Sequence, residues 1–560
     1  KKAHKAPTAQ IRNFDMIEAF YANYPKKLAA VRSKLNRPLT LSEKILYTHL
    51  YDPEAVKEYK RGASYAEFRP DRAGTHDAGA RKDIAFADHY NKETYDFLRT
   101  VSRRYGFDFW PAGSGICHQV FLENYDFPGG MMLVTDSHTP TACGLGMLAI
   151  GVGGADLVDA LMGSEWELKM PKLIGVKLTG KLQGWASPKD VILRVAQILT
   201  TKGGTNCIIE YFGDGANTIS ATGKATIGNM GAEVGSTTSV FPYDSHMKAY
   251  LKATNREAVA DLADGVAKDL QADPEVYAHP EKYFDRVIEL NLSELKPLIN
   301  GPLSPDAAME LDKVGDTLAK KNLPENIEVA LVGSCTNSSY TDMMRVARIL
   351  KGKTVHPDVS LVIGPGSKQV LTMLARNGAL ADMIAAGARI LESACGPCIG
   401  MGQSPRTNAV SVRTNNRNFY GRSGTKSAGI YLVSCETAAV TALTGVLTDP
   451  RCLDIDLDIP MPETYTVNDN LVIPPVAPGE EDTVEVVRGP NIQPFPLGKP
   501  LADAISGKVL LKMEDNITTD HIAPSDAKLL PFRSNVPYLS LLFALNTISS
   551  TLHSTVNFIE

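Results

Sequence analysis

At 560 residues the chain is longer than one hydrophobic core usually serves, so several domains are expected. Hydrophobic residues at 44% and charged residues at 22% are the proportions of an ordinary folded protein and exclude disorder as the dominant state. A formal charge of −5 gives no broad basic field for a phosphate backbone, and no apolar run approaches the roughly 18 residues of a membrane span, so neither nucleic acid nor a bilayer is an expected partner.

The opening KKAHKAPTAQIR is basic with no acid, the pattern of a trimmed organelle transit peptide. FDMIEAFYANYPKKLAAVRSKL then places apolar residues at helical spacing up to Pro38, and LTLSEKILYTHL begins a second helix with a Ser/Glu capping pattern. From about residue 100 to 300 the texture alternates. MMLVT and KLIGVKLTG read as strands, DVILRVAQILTT and EAVADLADGVAKDL as helices. A second alternating block runs IEVALVGSC (strand), SYTDMMRVARILKG (helix), VSLVIGPG (strand), QVLTMLARNGALADMIAAG (helix) and ARILESACG (strand). Between about 452 and 500 the chain turns to Asp, Pro and Glu and reads as a linker, after which KVLLKMEDNITTDHIAPSD opens a last domain.

Eight scattered cysteines do not make a disulfide framework, and the close pair Cys395 and Cys398 in ACGPCIG argues for a reducing compartment and metal chemistry. Cys335 in GSCTNSS also ends an apolar strand, so the three thiols can meet at one sheet edge, where open α/β sheets hold ligands. Three thiolates hold a cubane cluster at three corners and leave one iron open as a Lewis acid. The alternative is a structural zinc site with His138 as fourth ligand. Cys117, Cys143, Cys207, Cys435 and Cys452 read as small buried residues. Gly151, Gly153 and Gly154 in GVGGAD do not fit a phosphate-binding GxGxxG and read as tight packing at a helix start.

GSCTNSS and ACGPCIG resemble the cluster-binding motifs of the aconitase family. They occur with NRPLTLSEKILY, FWPAGSGICHQV, TDSHTP, GVGGADLVDALMG, NMGAEVGSTTSVFPY, NNRNFYGRSG and NITTDHI in that family's order, over most of residues 36 to 535. The resemblance implies three α/β domains around a [4Fe–4S] cluster plus the start of a swivel domain. Their expected spans are 1–171 (with an internal deletion near 78–79), 172–297, 298–451 with the cluster cysteines, a linker at 452–506, and 507–560. It implies a hydro-lyase that interconverts citrate and isocitrate through cis-aconitate, acting as a monomer in the mitochondrion, with the cytoplasm as the alternative.

By that resemblance Cys335, Cys395 and Cys398 ligate the cluster, and His118 pairs with Glu233 to handle protons. Asp136, Ser137 and His138 in TDSHTP bind substrate, with a carboxylate able to orient an imidazole. Asn229 stands by the cluster. Asn416, Arg417 and Arg422 clamp carboxylates, for which planar guanidinium groups suit better than lysine. Asp520, His521 and Arg533 look like the start of the last domain, with Arg533 reaching the substrate. The opening helices look like the mitochondrial-type enzyme, and GMGQSPRTNAVSVRTNNRNF like other aconitase relatives.

The chain also departs from the family. After RAGTHDA, at Asp77 and Ala78, it lacks a segment carrying an Asp-His pair credited with protonating the leaving hydroxyl, and it ends before the loop whose serine takes the Cα proton. Each such group typically contributes about 10²–10⁴-fold, so impaired catalysis is expected of this chain. The competing expectations are a homoaconitase taking a substrate one methylene longer, an RNA-binding regulator of the iron-responsive type, and a non-catalytic remnant.

Overall fold

Ile17, Tyr21, Tyr24, Leu28 and Val31 recur every three or four residues, so the first helix, Phe14–Leu35, buries a single stripe. It stops at Asn36, which takes a left-handed conformation and returns its N–H to Arg32 O at 2.9 Å. The next helix, Leu41–Thr48, is capped by Thr40 and Glu43, each accepting the other's backbone N–H at 3.1 Å. The Ser/Glu pattern read from the sequence is therefore a Thr/Glu box. Ser42 is spent elsewhere, donating its hydroxyl to the buried Glu210 at 2.7 Å.

This computed structural model describes residues 11–75, 87–467, 469–494, 496–498, 500, 502–507, 512, 532, 535, 537 and 538. The chain falls into two compact units, Lys1–His76 with Gly113–Asn470, and Asp77–Ala112 with Leu471–Glu560.

Among its described residues the first unit holds four sheets. Strands β1 (Tyr65–Phe68) and β5 (Trp166–Lys169) pair antiparallel. Strands β2 (Arg72–Gly74), β3 (Met131–Val134) and β4 (Leu148–Gly151) form a parallel sheet with β3 central and fully buried. Strands β6 (Lys172–Thr179), β7 (Cys207–Phe212), β8 (Thr238–Val240) and β9 (Arg286–Asn291) make a second parallel sheet in the order β8-β7-β6-β9, with Ile174 opposite Ile209. The largest sheet has the order β11-β10-β16-β15-β12-β13-β14. Its members are β10 (Leu298–Asn300), β11 (Ala308–Glu310), β12 (Val329–Val332), β13 (Ser360–Ile363), β14 (Arg389–Ile390), β15 (Val410–Arg413) and β16 (Gly429–Leu432). The strands from β12 to β16 are parallel, while β10 and β11 add an antiparallel edge. Near-continuous Val, Ile and Leu in β12, β13 and β15 follows from cover on both faces.

Two expected elements come out shorter. The long helix from Gln369 splits into Lys368–Arg376 and Ala379–Ala385, because Gly378 sits at φ 83° and breaks the ladder after Asn377. The strand expected over ARILES is only Arg389–Ile390. The described part of the Pro- and Asp-rich stretch after 452 forms no strand or α-helix, yet Tyr465 is buried and its N–H bonds Ala253 O at 2.7 Å.

In the second unit the helix Ala87–Arg104 is the main element. Arg104 Nη2 pairs with Asp482 at 2.7 Å, Phe109 bridges to Ile473, and Glu93 accepts from Asn491 Nδ2 at 2.8 Å. Arg533, Asp520, His521 and the junction at 78–79 lie outside the described residues.

Candidate active site

In the seven-stranded sheet the chain runs outward from β12 to β13 and β14 on one side, and to β15 and β16 on the other, so the switch point lies between β12 and β15. Ligands of open α/β sheets sit beyond the carboxyl ends of strands at such a point. Cys335 follows β12, and Thr414 to Arg417 follow β15. Cys395 and Cys398 follow β14, at and within the short turn of helix Gly396–Ile399. Gly333 takes φ +88° directly after β12, where an added Cβ would run into Gly364 O, and this turn delivers Cys335. Gly333 N–H bonds Thr414 Oγ1 at 2.9 Å, tying the two strand ends together.

From the neighbouring sheet, β3 delivers TDSHTP. Asp136 Oδ1 accepts from His138 N at 2.7 Å and pairs with His118 Nε2 at 2.9 Å, His118 lying in the first turn of the helix Cys117–Asn124. Of the three glycines at and beyond the end of β4, Gly151 alone is tightly packed: a Cβ there would strike Asp136 O, whereas Gly154 has open space and Gly153 only the Asp156 carboxylate nearby. The reading of GVGGAD as packing holds for one position, and what that position packs against is the backbone of Asp136.

Glu233 stands in the turn Met230–Val234, just after the helix Ala221–Asn229. The resemblance pairs it with His118, but its Oε1 instead holds His138 Nε2 at 3.0 Å and Arg417 Nε at 2.8 Å, while His118 is joined to Asp136. Tertiary approach decides this, since the loop after β15 puts a guanidinium beside Glu233. Arg417 Nη2 continues to Ser137 Oγ at 2.6 Å. Burial alone would raise the Glu233 carboxyl, but His138 and Arg417 outweigh it and hold its pKa below the ordinary value. Burial likewise opposes a charged His138, yet the Glu233 carboxylate raises the imidazole to about 10.

Asn229 links these loops. Its Nδ2 donates to Thr141 Oγ1 at 2.8 Å, its Oδ1 lies 3.6 Å from Cys335 Sγ, and it accepts a hydrogen bond from Asn416 Nδ2. Arg422 Nη2 lies 3.6 Å from Cys398 Sγ, with its guanidinium 5.7 Å from the Phe419 ring centroid.

Two of the three thiols sit where charge favours the thiolate. Burial pushes Cys335 and Cys398 up, but His138 lowers Cys335 on balance, and Arg422 with Asn415 lowers Cys398 to about 7. Arg422 Nε, on the guanidinium beside Cys398, and Glu233 Oε2 are buried with no hydrogen-bond partner among the described residues, leaving unspent polar capacity in the site. Among the described residues no three His, Cys, Asp or Glu side chains converge as ligands of one ion. His138, the fourth ligand of the alternative zinc site, has its Nε2 bonded to Glu233 instead.

Sequence reasoning missed four supporting residues. Gln119 Nε2 donates to Cys335 O at 2.8 Å, and Thr141 holds Asn229. Arg413, fully buried in β15, donates from Nη1 to Pro397 O at 2.9 Å and so braces the CxxC turn. Lys189 bonds the loop after β15. A charged residue closing the apolar strand VSVR, and a lysine in the first turn of a helix, were the available signals. Two cysteines set aside as buried are not: Cys452 is exposed and Cys117 half-buried, the latter near enough to Asp136, Cys395 and Cys335 to feel their charge.

An α/β chain that gathers thiols, imidazole–carboxylate pairs and arginines beyond its strand ends has the donor types of an enzyme site for a small anion. The sequence profile of the aconitase family (aconitate hydratase) matches residues 64–445. The mitochondrial aconitate hydratase of Gracilaria gracilis is 41% identical over 99% of this chain and 78% of its own length. Those of Schizosaccharomyces pombe and Saccharomyces cerevisiae are 41% and 40% identical, each over 95% of this chain and over 73% and 75% of their own lengths. The chain belongs to the aconitase family. The alignment with the Gracilaria protein runs over 623 positions against the 560 residues here, so that relative carries residues this chain lacks within the matched span.

Proposed function

We infer that the protein is an aconitate hydratase, a hydro-lyase interconverting citrate and isocitrate through cis-aconitate. Its place is the mitochondrion, the compartment in the names of its relatives. The observation that carries the reading is that Asn229 joins Cys335, beyond β12, to Asn416, beyond β15, while the next residue Arg417 bonds Ser137, beyond β3, in a chain 41% identical to an enzyme of that name.

Cys335, Cys395 and Cys398 would hold a [4Fe–4S] cluster. When bound, the cluster supplies Lewis acidity without redox change. The chain's own side chains do the rest. Arg417 and Arg422 present guanidinium groups to carboxylates, and Ser137 Oγ adds a hydrogen bond. His138, kept cationic by Glu233, adds positive charge toward a polyanion. His118 carries a proton at Nε2 toward Asp136 Oδ1, so the pair can hold a proton beside the substrate. Every described residue of the site comes from one compact unit of one chain, which supports action as a monomer on a small tricarboxylic acid. The two parallel sheets, built from 72–151 and 172–291, and the mixed sheet, built from 298–432, support division into three α/β domains near 171 and 297. No described helix is long and apolar enough to cross a membrane.

Anaerobic reconstitution with iron and sulfide, followed by absorbance and a cis-aconitate hydration assay run beside homoaconitate, tests the reading. Cluster absorbance with turnover of cis-aconitate supports it. Preferential turnover of homoaconitate, or zinc in place of iron, overturns it.

A further inference from the structure

Lys189 breaks two local rules at once. It is the second residue of the helix Pro188–Leu199, where the positive end of the helix repels a cation, and its side chain is 0% exposed. The ammonium touches no carboxylate among the described residues. Three neutral oxygens hold it: Thr414 O at 2.9 Å, Asn415 O at 3.0 Å and Asn416 Oδ1 at 2.5 Å. Burial lowers its pKa to about 8, against the pull first of Glu233 and then of Cys335, Asp190 and Cys398. A desolvated cation without an ion pair is costly, and proteins keep such departures chiefly where function uses them.

The three oxygens all belong to one loop, and the next residue in that loop is Arg417. Lys189 thus pins the segment between β15 and Arg417 from below, while Asn416 Nδ2 reaches Asn229 and Arg417 spans Glu233 and Ser137. We propose that Lys189 is a positioning residue of the anion site: its ammonium fixes residues 414–416 so that Arg417 points at Ser137 and Glu233, and its buried charge favours a polycarboxylate there. The proposal rests on the aconitate hydratase reading for the identity of the anion, but not for the pinning of the loop.

The test uses the full chain with Lys189→Met, which keeps most of the volume, and Lys189→Gln, which keeps donors without charge. Amide hydrogen exchange over 410–423, read by mass spectrometry, reports the loop. Calorimetric titration with tricarballylate, a tricarboxylate with no hydroxyl to lose, reports the site. In Lys189→Met, exchange at 414–418 rises by about 10-fold or more, and the tricarballylate Kd weakens by about 10–100-fold, the effect of one charged hydrogen bond. Lys189→Gln recovers protection of the loop but not affinity. A folded Lys189→Met protein with wild-type exchange and wild-type Kd overturns the proposal. Where Lys189→Met does not fold, wild-type Kd in Lys189→Gln overturns it equally. Faster loop exchange in a variant whose parent binds no tricarballylate supports the positioning role and sinks the polycarboxylate reading instead.

Discussion

Arg417 reaches from the loop after β15 to Ser137 in the loop after β3, its Nη2 donating to Oγ at 2.6 Å while its Nε stays on Glu233 at 2.8 Å. One planar side chain therefore closes the gap between two sheets, which a single ammonium cannot do. Arg417→Lys should weaken tricarballylate binding by about 10–100-fold and leave the melting temperature nearly unchanged. Calorimetric titration and a thermal melt of the same sample measure both.

The thiols carry a prediction of their own. Cys335 Sγ is buried and lies 3.6 Å from Asn229 Oδ1, and Cys398 Sγ lies 3.6 Å from Arg422 Nη2. Cys335→Ser or Cys398→Ser should abolish cluster retention after anaerobic reconstitution. Cys452→Ser, at an exposed position, should not. Iron and sulfide content per chain is the readout, and full retention in Cys335→Ser would defeat the ligand assignment.

Gly151 is packed against the backbone of Asp136, so Gly151→Ala has to displace the TDSHTP loop. The expected result is a folded protein with tricarboxylate affinity reduced about 10-fold or more, because a misplacement near 1 Å suffices for a loss of that order. Gly154→Ala, in open space, serves as the control and should bind normally.

The pH dependence of stability should carry the mark of buried acids. Glu123 accepts from Ser367 Oγ at 2.8 Å and Gln369 Nε2 at 2.6 Å, yet burial lifts its carboxyl from the ordinary 4.5 to about 7. Asp126, whose two carboxylate oxygens have no partner among the described residues, is lifted to about 7 as well. Between about pH 4.5 and 7 the native state binds the extra proton, so these groups favour folding in acid and lose that contribution as pH rises through about 7. Glu123→Gln should therefore be more stable than the parent by about 1–3 kcal/mol near pH 8, with the gap closing toward pH 4.5. Urea titrations at the two pH values check the sign.

Much of this architecture was legible because strand ends and helix starts leave local marks. Cys335 follows an apolar run and precedes a helix, and the structure indeed turns there, from β12 through Gly333 to the helix Tyr340–Leu350. The Asn377–Gly378 break was written in the sequence too, but helical periodicity on either side masked it. What was not legible depends on segments far apart in the chain. Nothing near Glu233 says that His138 and Arg417 will reach it, since they lie on other sheets. Nor does the Pro-Lys-Asp at the start of the helix Pro188–Leu199 reveal that the lysine will face the backbone of Thr414 and Asn415.

Asn229 occupies the centre of a continuous polar chain from Thr141 through Asn416 to Lys189, with Cys335 at its side. Perturbations at these positions will consequently be non-additive: a double-mutant cycle between Lys189 and Asn229 should return a coupling energy well above the few tenths of a kcal/mol typical of independent sites. Drift at any one of the four positions is admissible only alongside compensating change in its neighbours, so they should vary in concert or not at all.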